Sequence, residues 1–163
     1  MGLEFCCEVR CEMRIWIDAD ACPKAVREIV LRASERLRIP VTFVANQPVR
    51  TPKLAWVDAV QVAKGLDAAD TYIVQHLAKE DLVITQDVPL AAEVVEAGAQ
   101  AIGHRGVQWT AQNVREKLSV RDFLTEARES GLITGGPKPF DNRAKQSFAN
   151  ALDRWLTAAM KRN

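Results

Sequence analysis

Short apolar runs separated by segments of helix length constrain this chain more than any other feature. The runs are RIWID (14–18), VTFVA (41–45), VDAVQVA (57–63), LVIT (82–85) and AQAI (99–102). Between the first two, Val26, Ile29, Val30, Ala33 and Leu37 recur at helical spacing. Pro23 fits the first turn of that helix, where a missing N–H costs nothing. The pattern predicts further helices over 68–80 and from Pro89 to Ala97, the latter ended by Gly98. Strands joined through helices pair in parallel, so the expectation is an α/β chain with a doubly wound sheet.

After Ile102 the strand signal ends. TAQNVREKLSVRDFLTEARES reads as helix with a break near Leu118 and Ser119, and GLITGGPKPFDN as a loop. RAKQSFANALDRWLTAAM reads as a closing amphipathic helix, with Phe148, Leu152, Trp155 and Leu156 on the face that docks on the sheet.

A length of 163 residues allows one domain with a real core. The balance of 48% apolar to 26% charged residues excludes a disordered or fibrous chain. No apolar run is long enough to span a bilayer, and the first residues lack the basic-then-apolar layout of a secretory signal. A cytoplasmic protein without membrane association is expected. Cys6, Cys7 and Cys11 crowd the start, but their spacing matches no zinc site. Residues 1–12 therefore read as an extension ahead of a single domain over 13–163. Cys22 reads as a packed thiol.

Five aspartates follow strand ends. In an open parallel sheet, functional groups gather outside the carboxyl ends of the strands. Asp18 closes the first strand and Asp20 follows it; Asp67 and Asp70 follow the third strand at a helix start; Asp87 follows the fourth. Like charges on one edge repel unless water, a positive partner or a metal ion offsets them. Carboxylate oxygens suit Mg2+ or Mn2+. Helix capping is the competing account, since Asp20, Asp67 and Asp87 all precede helices. It accounts less well for the pairs Asp18/Asp20 and Asp67/Asp70, because a helix needs one cap. Asp58 and Asp81 fall at the opposite edge.

Net charge is +1, but residues 1–103 carry 11 basic against 15 acidic residues, net −4, and residues 104–163 carry 11 against 6, net +5. Such a split suits a protein that holds a cation beside an anionic polymer, and it equally describes solvated helix faces.

IWIDADACP, VAKGLDAADTYIV, LVITQDVPLAAEVVEAGA, HRGVQWTAQNV, and TGGPKPF followed by FANALDRWL resemble the pattern of the YaiI/YqxD family of bacterial proteins, which are related to PIN-like domains. The resemblance runs from Met13 to about Leu156. It implies a three-layer α/β/α PIN-like domain with a mostly parallel central sheet and C-terminal helices. It also implies the chemistry common among PIN-like domains, Mg2+- or Mn2+-dependent cleavage of RNA or DNA. Matched residue by residue, Asp18, Asp67, Asp70 and Asp87 take the catalytic acidic places, and Asp18, Asp20, Asp70 and Asp87 the metal-binding ones. Asp20 and Cys22 belong to the family's own DADACP motif.

Lys64, His104 and Arg105 in GHRG, and Lys138 in TGGPKPF are the candidate phosphate contacts. A lone loop histidine more often has an ordinary surface role, and TGGPKPF reads equally as a turn without Walker spacing. The reaction expected is phosphodiester hydrolysis, with the metal positioning water and neutralising phosphate charge. An Asp-x-Asp strand end also resembles haloacid-dehalogenase-like phosphatases, although Cys22 stands where those carry Thr or Val. A non-catalytic protein that binds metal and nucleic acid is the third reading.

Overall fold

The computed structural model describes residues 13–20, 22–65, 68–117 and 141–162. In chain order the elements are β1 (Ile15–Asp18), α1 (Lys24–Leu37), β2 (Val41–Ala45), β3 (Val57–Gln61), α2 (Ala68–His76) and β4 (Leu82–Ile84). There follow α3 (Val88–Glu96), β5 (Gln100–Ile102), β6 (Gln108–Trp109), helix α4 over residues 111–117, and α5 (Asn142–Arg162). The strands form one sheet in the order β3-β2-β1-β4-β5-β6, parallel throughout except for β5 and β6. Among the described residues, no helix is long and apolar enough to cross a membrane.

Strand alternation divides the core into two layers. Ile15, Ile17, Val41, Phe43 and Ala45 face α1 and α5, where they meet Val26, Val30, Phe148, Leu152 and Leu156. Trp16, Val44 and Val83 face the other way, onto Ile73 of α2 and Leu90, Ala91 and Val94 of α3. Every residue of β1 and β2 is buried. Coverage on both faces requires the unbroken apolar runs that mark these strands in the sequence. The result is a three-layer α/β/α domain. The apolar stripe read on the last helix is the one that docks.

Three local expectations need correction. The sheet does not end at Ile102. Gly103 donates to the Val107 carbonyl at 2.8 Å and Gly106 donates to Gly103 at 3.0 Å, folding a hairpin that returns Gln108 and Trp109 antiparallel to β5. A two-residue strand is too short to show period-two alternation, so only the paired glycines could have signalled it.

The helix expected over 68–80 stops at His76. Asp81 ends it: its Oδ2 accepts the Ala78 N–H at 2.9 Å while its own N–H donates to Ala78 at 3.0 Å, closing a turn. The same buried carboxylate accepts the Arg14 N–H and the Trp16 indole N–H, at 3.0 and 2.9 Å. Asp81 thus braces the amino edge of the sheet. Asp58 lies at that edge too, 3.9 Å from Arg14.

Asp20 does not cap α1, because Pro23 occupies the N-cap position with no side-chain capping bond. The extension 1–12, with Cys6, Cys7 and Cys11, and the break expected near Leu118 and Ser119 lie outside the described residues.

Candidate functional site

The order β3-β2-β1-β4 means that the chain winds away from β1 in one direction and returns on its other side. The sheet therefore reverses direction between β1 and β4, and crevices open at the carboxyl ends of strands at such a point. Asp18 ends β1, and Thr85, Gln86 and Asp87 follow β4. Alternation puts Asp18 on the Trp16 side of the sheet, facing the layer in which α2 and α3 begin.

Asp18 is 8% exposed, and its carboxyl is pushed up to about 6. Burial is the main cause, followed by the negative charges of Asp20 and Asp87; the Asp20 backbone N–H donates to it and pulls the other way. Three carboxylates from two strand ends thus share one electrostatic environment.

Asp87 is fixed on both sides. Its Oδ1 accepts the Leu90 N–H at 3.2 Å, capping α3, and its own N–H donates to Thr85 Oγ1 at 3.0 Å. Capping and a site role are compatible here, because one oxygen caps and the carboxylate still acts on Asp18. Thr85 is in turn buried, its N–H bound to Ile102 and its carbonyl accepting the Trp109 indole N–H at 3.2 Å. Gln86 Oε1 accepts the His104 N–H at 2.8 Å and lies where a Cβ on Gly103 would fall, at 2.8 Å. The loops after β4 and β5 are therefore clasped together. Thr85, Gln86 and Trp109 were not among the expected site residues, although polar residues between a buried strand and an aspartate were a visible signal.

Asp20 is exposed and accepts the Asn46 N–H at 2.9 Å, which draws it over the end of β2. Asp70 is half-buried in the first turn of α2. Asp67 and Lys138 lie outside the described residues. Lys64 is exposed beyond β3, with β2 between that strand and β1.

His104 departs from the surface role of a lone loop histidine. It is 6% exposed, burial lowers its pKa to about 4, and its Nε2 has no hydrogen-bond partner. It is a neutral imidazole at pH 7. Arg105, beside it, acts on Asp141, whose side chain accepts the Ala144 N–H at 2.9 Å at the start of α5. Cys22 is buried and its thiol is pushed up to about 12, mainly by burial, as a packed thiol requires.

Among the described residues, no three His, Cys, Asp or Glu side chains close around one point as a metal cage. A cage is not what Mg2+ needs. It keeps several waters and takes one or two carboxylates, with substrate phosphate completing the shell. Asp18, Asp87 and Asp20 offer hard oxygens whose mutual repulsion a divalent cation would relieve, so the donor set fits that kind of ion.

A family model described as "Uncharacterized BCR, YaiI/YqxD family" matches residues 16–158. A UPF0178 protein of Psychromonas ingrahamii is 55% identical over 149 residues, which is 91% of this chain and 99% of that protein. A UPF0178 protein of Yersinia pestis (strain Pestoides F) is 51% identical over 147 residues, 90% and 97% of the two chains. No solved structure matches. With one family model spanning nearly the whole sheet and its helices, and relatives alike over almost their full lengths, the chain belongs to the YaiI/YqxD family.

Proposed function

We propose that the protein is a Mg2+- or Mn2+-dependent phosphodiester hydrolase acting on RNA or DNA at the carboxyl edge of β1 and β4. The observation that carries this reading is the buried Asp18 carboxyl at the switch point, held near 6 by burial and by Asp20 and Asp87. Burying Asp18 beside two like charges opposes folding, and a cation bound there would offset that cost. When bound, the cation supplies charge neutralisation at the phosphate and the leaving oxygen.

The chain's own groups do the rest. Asp87, fixed by Thr85 and by its capping bond, holds its position with little freedom. Asp18, buried at the end of β1, would hold the cation through a carboxylate oxygen. Asp70 and Asp67, expected at the start of α2, complete the acidic set. His104, neutral and buried, orients by hydrogen bonding and does not supply positive charge. The phosphatase reading is less favoured, because the second aspartate of such a site has to serve as the general acid, and Asp20 is engaged as an acceptor for the Asn46 N–H.

A cleavage screen on labelled single- and double-stranded RNA and DNA, with and without Mg2+ or Mn2+, tests the proposal. Wild type is expected to cleave only with metal. Asp87→Asn is the sharpest control, because Asn caps helices as well as Asp and the fold is retained while a charged ligand is removed. Its activity is expected to fall about a hundredfold or more, the scale on which removal of a catalytic electrostatic interaction is felt. Metal-independent cleavage, or an Asp87→Asn variant as active as wild type, would remove the proposal's basis. A phospho-aspartyl adduct trapped at Asp18 would establish the phosphatase instead.

A further inference from the structure

On the other flank of Asp20 lies an open pocket of about 570 Å3, between the end of β1, the first turn of α1 and the loop after β2. Its lining includes Asp20, Arg27, Asn46, Gln47 and Arg50. Arg27 projects from the first turn of α1 and is half-buried; Arg50 is exposed, at the mouth. The Nε of Arg27 is shielded from solvent and has no hydrogen-bond partner. Among the described residues, neither guanidinium forms an ion pair with a carboxylate. Among the described residues of the lining the one acid is Asp20, which is already engaged by the Asn46 N–H.

A buried N–H of a charged group left unpaired is costly, and such a cost persists where a ligand repays it. A guanidinium presents its N–H groups as a planar fork matched to two oxygens of a phosphate. Two forks present more donors than the two free oxygens of a diester can accept, and so match a terminal monoester, which offers three. The volume exceeds a bare phosphate, leaving space for an attached sugar. Of the phosphate contacts expected from the sequence, Lys64, His104 and Arg105 do not line this pocket.

We propose that the Arg27–Arg50 pocket binds the terminal phosphate monoester of a nucleic-acid strand whose adjoining backbone crosses the Asp18–Asp87 edge. The proposal rests on the hydrolase reading for the path of the strand, but not for the binding of the phosphate. Asp20 would stand between the two subsites, its charge shared by a cation on one side and by Arg27 and Arg50 on the other. The protein would then measure its cleavage position from a strand end.

The test uses the full chain as wild type, Arg27→Gln and Arg50→Gln. Labelled hexanucleotides carrying a 5′-phosphate, a 3′-phosphate or neither are titrated by fluorescence anisotropy. Thermal midpoints are recorded with inorganic phosphate and with chloride at matched ionic strength. One phosphorylated end is expected to bind wild type about tenfold or more tighter than the unphosphorylated strand, the scale of a single charge-assisted hydrogen bond. Which end does so identifies the polarity. That preference is expected to vanish in both variants, whose unliganded midpoints stay near that of wild type, and phosphate is expected to raise the midpoint of wild type alone.

Equal binding of all three strands by wild type, or a preference that survives both substitutions, overturns the pocket; metal-dependent cleavage would still stand. A wild type that cleaves nothing but gains stability with phosphate, an effect absent from Arg50→Gln, overturns the hydrolase and supports the pocket. If Arg27→Gln lowers the unliganded midpoint, Arg50→Gln at the exposed mouth carries the decision.

Discussion

Ionising Asp18 at neutral pH works against folding, and His104 makes the opposite contribution in the same pH range. The folded pKa of Asp18 is raised from 3.8 to about 6, so the folded state holds an extra proton between those values. Its contribution to stability is whole at low pH and is lost as pH rises through about 6. His104 is lowered from 6.5 to about 4, so its contribution is whole above about 6.5 and is lost as pH falls towards 4. The two slopes oppose each other over nearly one window, and the wild-type thermal midpoint is expected to vary little across it. Asp18→Asn removes one slope. The variant is expected to match wild type near about pH 4 and to be more stable by about 1 to 2 kcal/mol near about pH 7.5, below the full linkage value because solvent screens part of the field. Thermal melts across that range check this; a variant less stable than wild type at neutral pH would show that Asp18 is not strained.

The GHRG hairpin is the element through which the edge is attached to the rest of the fold. Gly106 has φ +87, and a Cβ there would lie 2.5 Å from the Ser147 carbonyl oxygen in α5. Both the backbone conformation and the close approach exclude a side chain. Gly106→Ala is expected to cost about 2 kcal/mol or more, since neither backbone can yield cheaply. It also displaces His104 and Arg105. Denaturant unfolding checks the first effect, and a loss below about 0.5 kcal/mol would mean that the helix gives way.

Much of this architecture was legible in the chain. The runs ending at Asp18 and Ala45 had to be central strands because they are apolar on both faces, and Phe148, Leu152 and Leu156 announced the docking helix. The hairpin was not legible, because Gln108 and Trp109 are too few to show a period. The stop at His76 was not legible either, since it depends on Asp81 meeting Trp16, 65 positions away in sequence. The same limit hid the Arg27–Arg50 pocket, whose two arginines come from different elements. The acidic edge could be read only because a parallel sheet dictates where all its strand ends lie.

Across the whole molecule the charge is divided, net −4 over residues 1–103 and net +5 over residues 104–163. Arg105 carries the basic half to the edge, where it also meets Asp141. Affinity for a phosphate backbone is expected to fall steeply with salt as counterions are released. Replacing both Arg105 and Lys138 by Ala is expected to flatten the logarithmic salt slope on duplex DNA by roughly 1 to 2 units, at about 0.9 for each phosphate no longer neutralised. Anisotropy titrations over a salt series measure it, and an unchanged slope would move the binding surface away from these loops.

The seat of Gly106 against Ser147 has a temporal consequence. Ribosomes deliver a chain from its amino end at roughly 5 to 20 residues per second. β1 to β5 can emerge and pair while α5 is still inside the exit tunnel. Until Ser147 and Phe148 arrive, the tip of the hairpin at Gly106 lacks its seat on α5, and one side of the sheet lacks part of its cover. The loop after β5, which the Gln86–His104 bond clasps to the acidic crevice, therefore gains its last support only when α5 has been released.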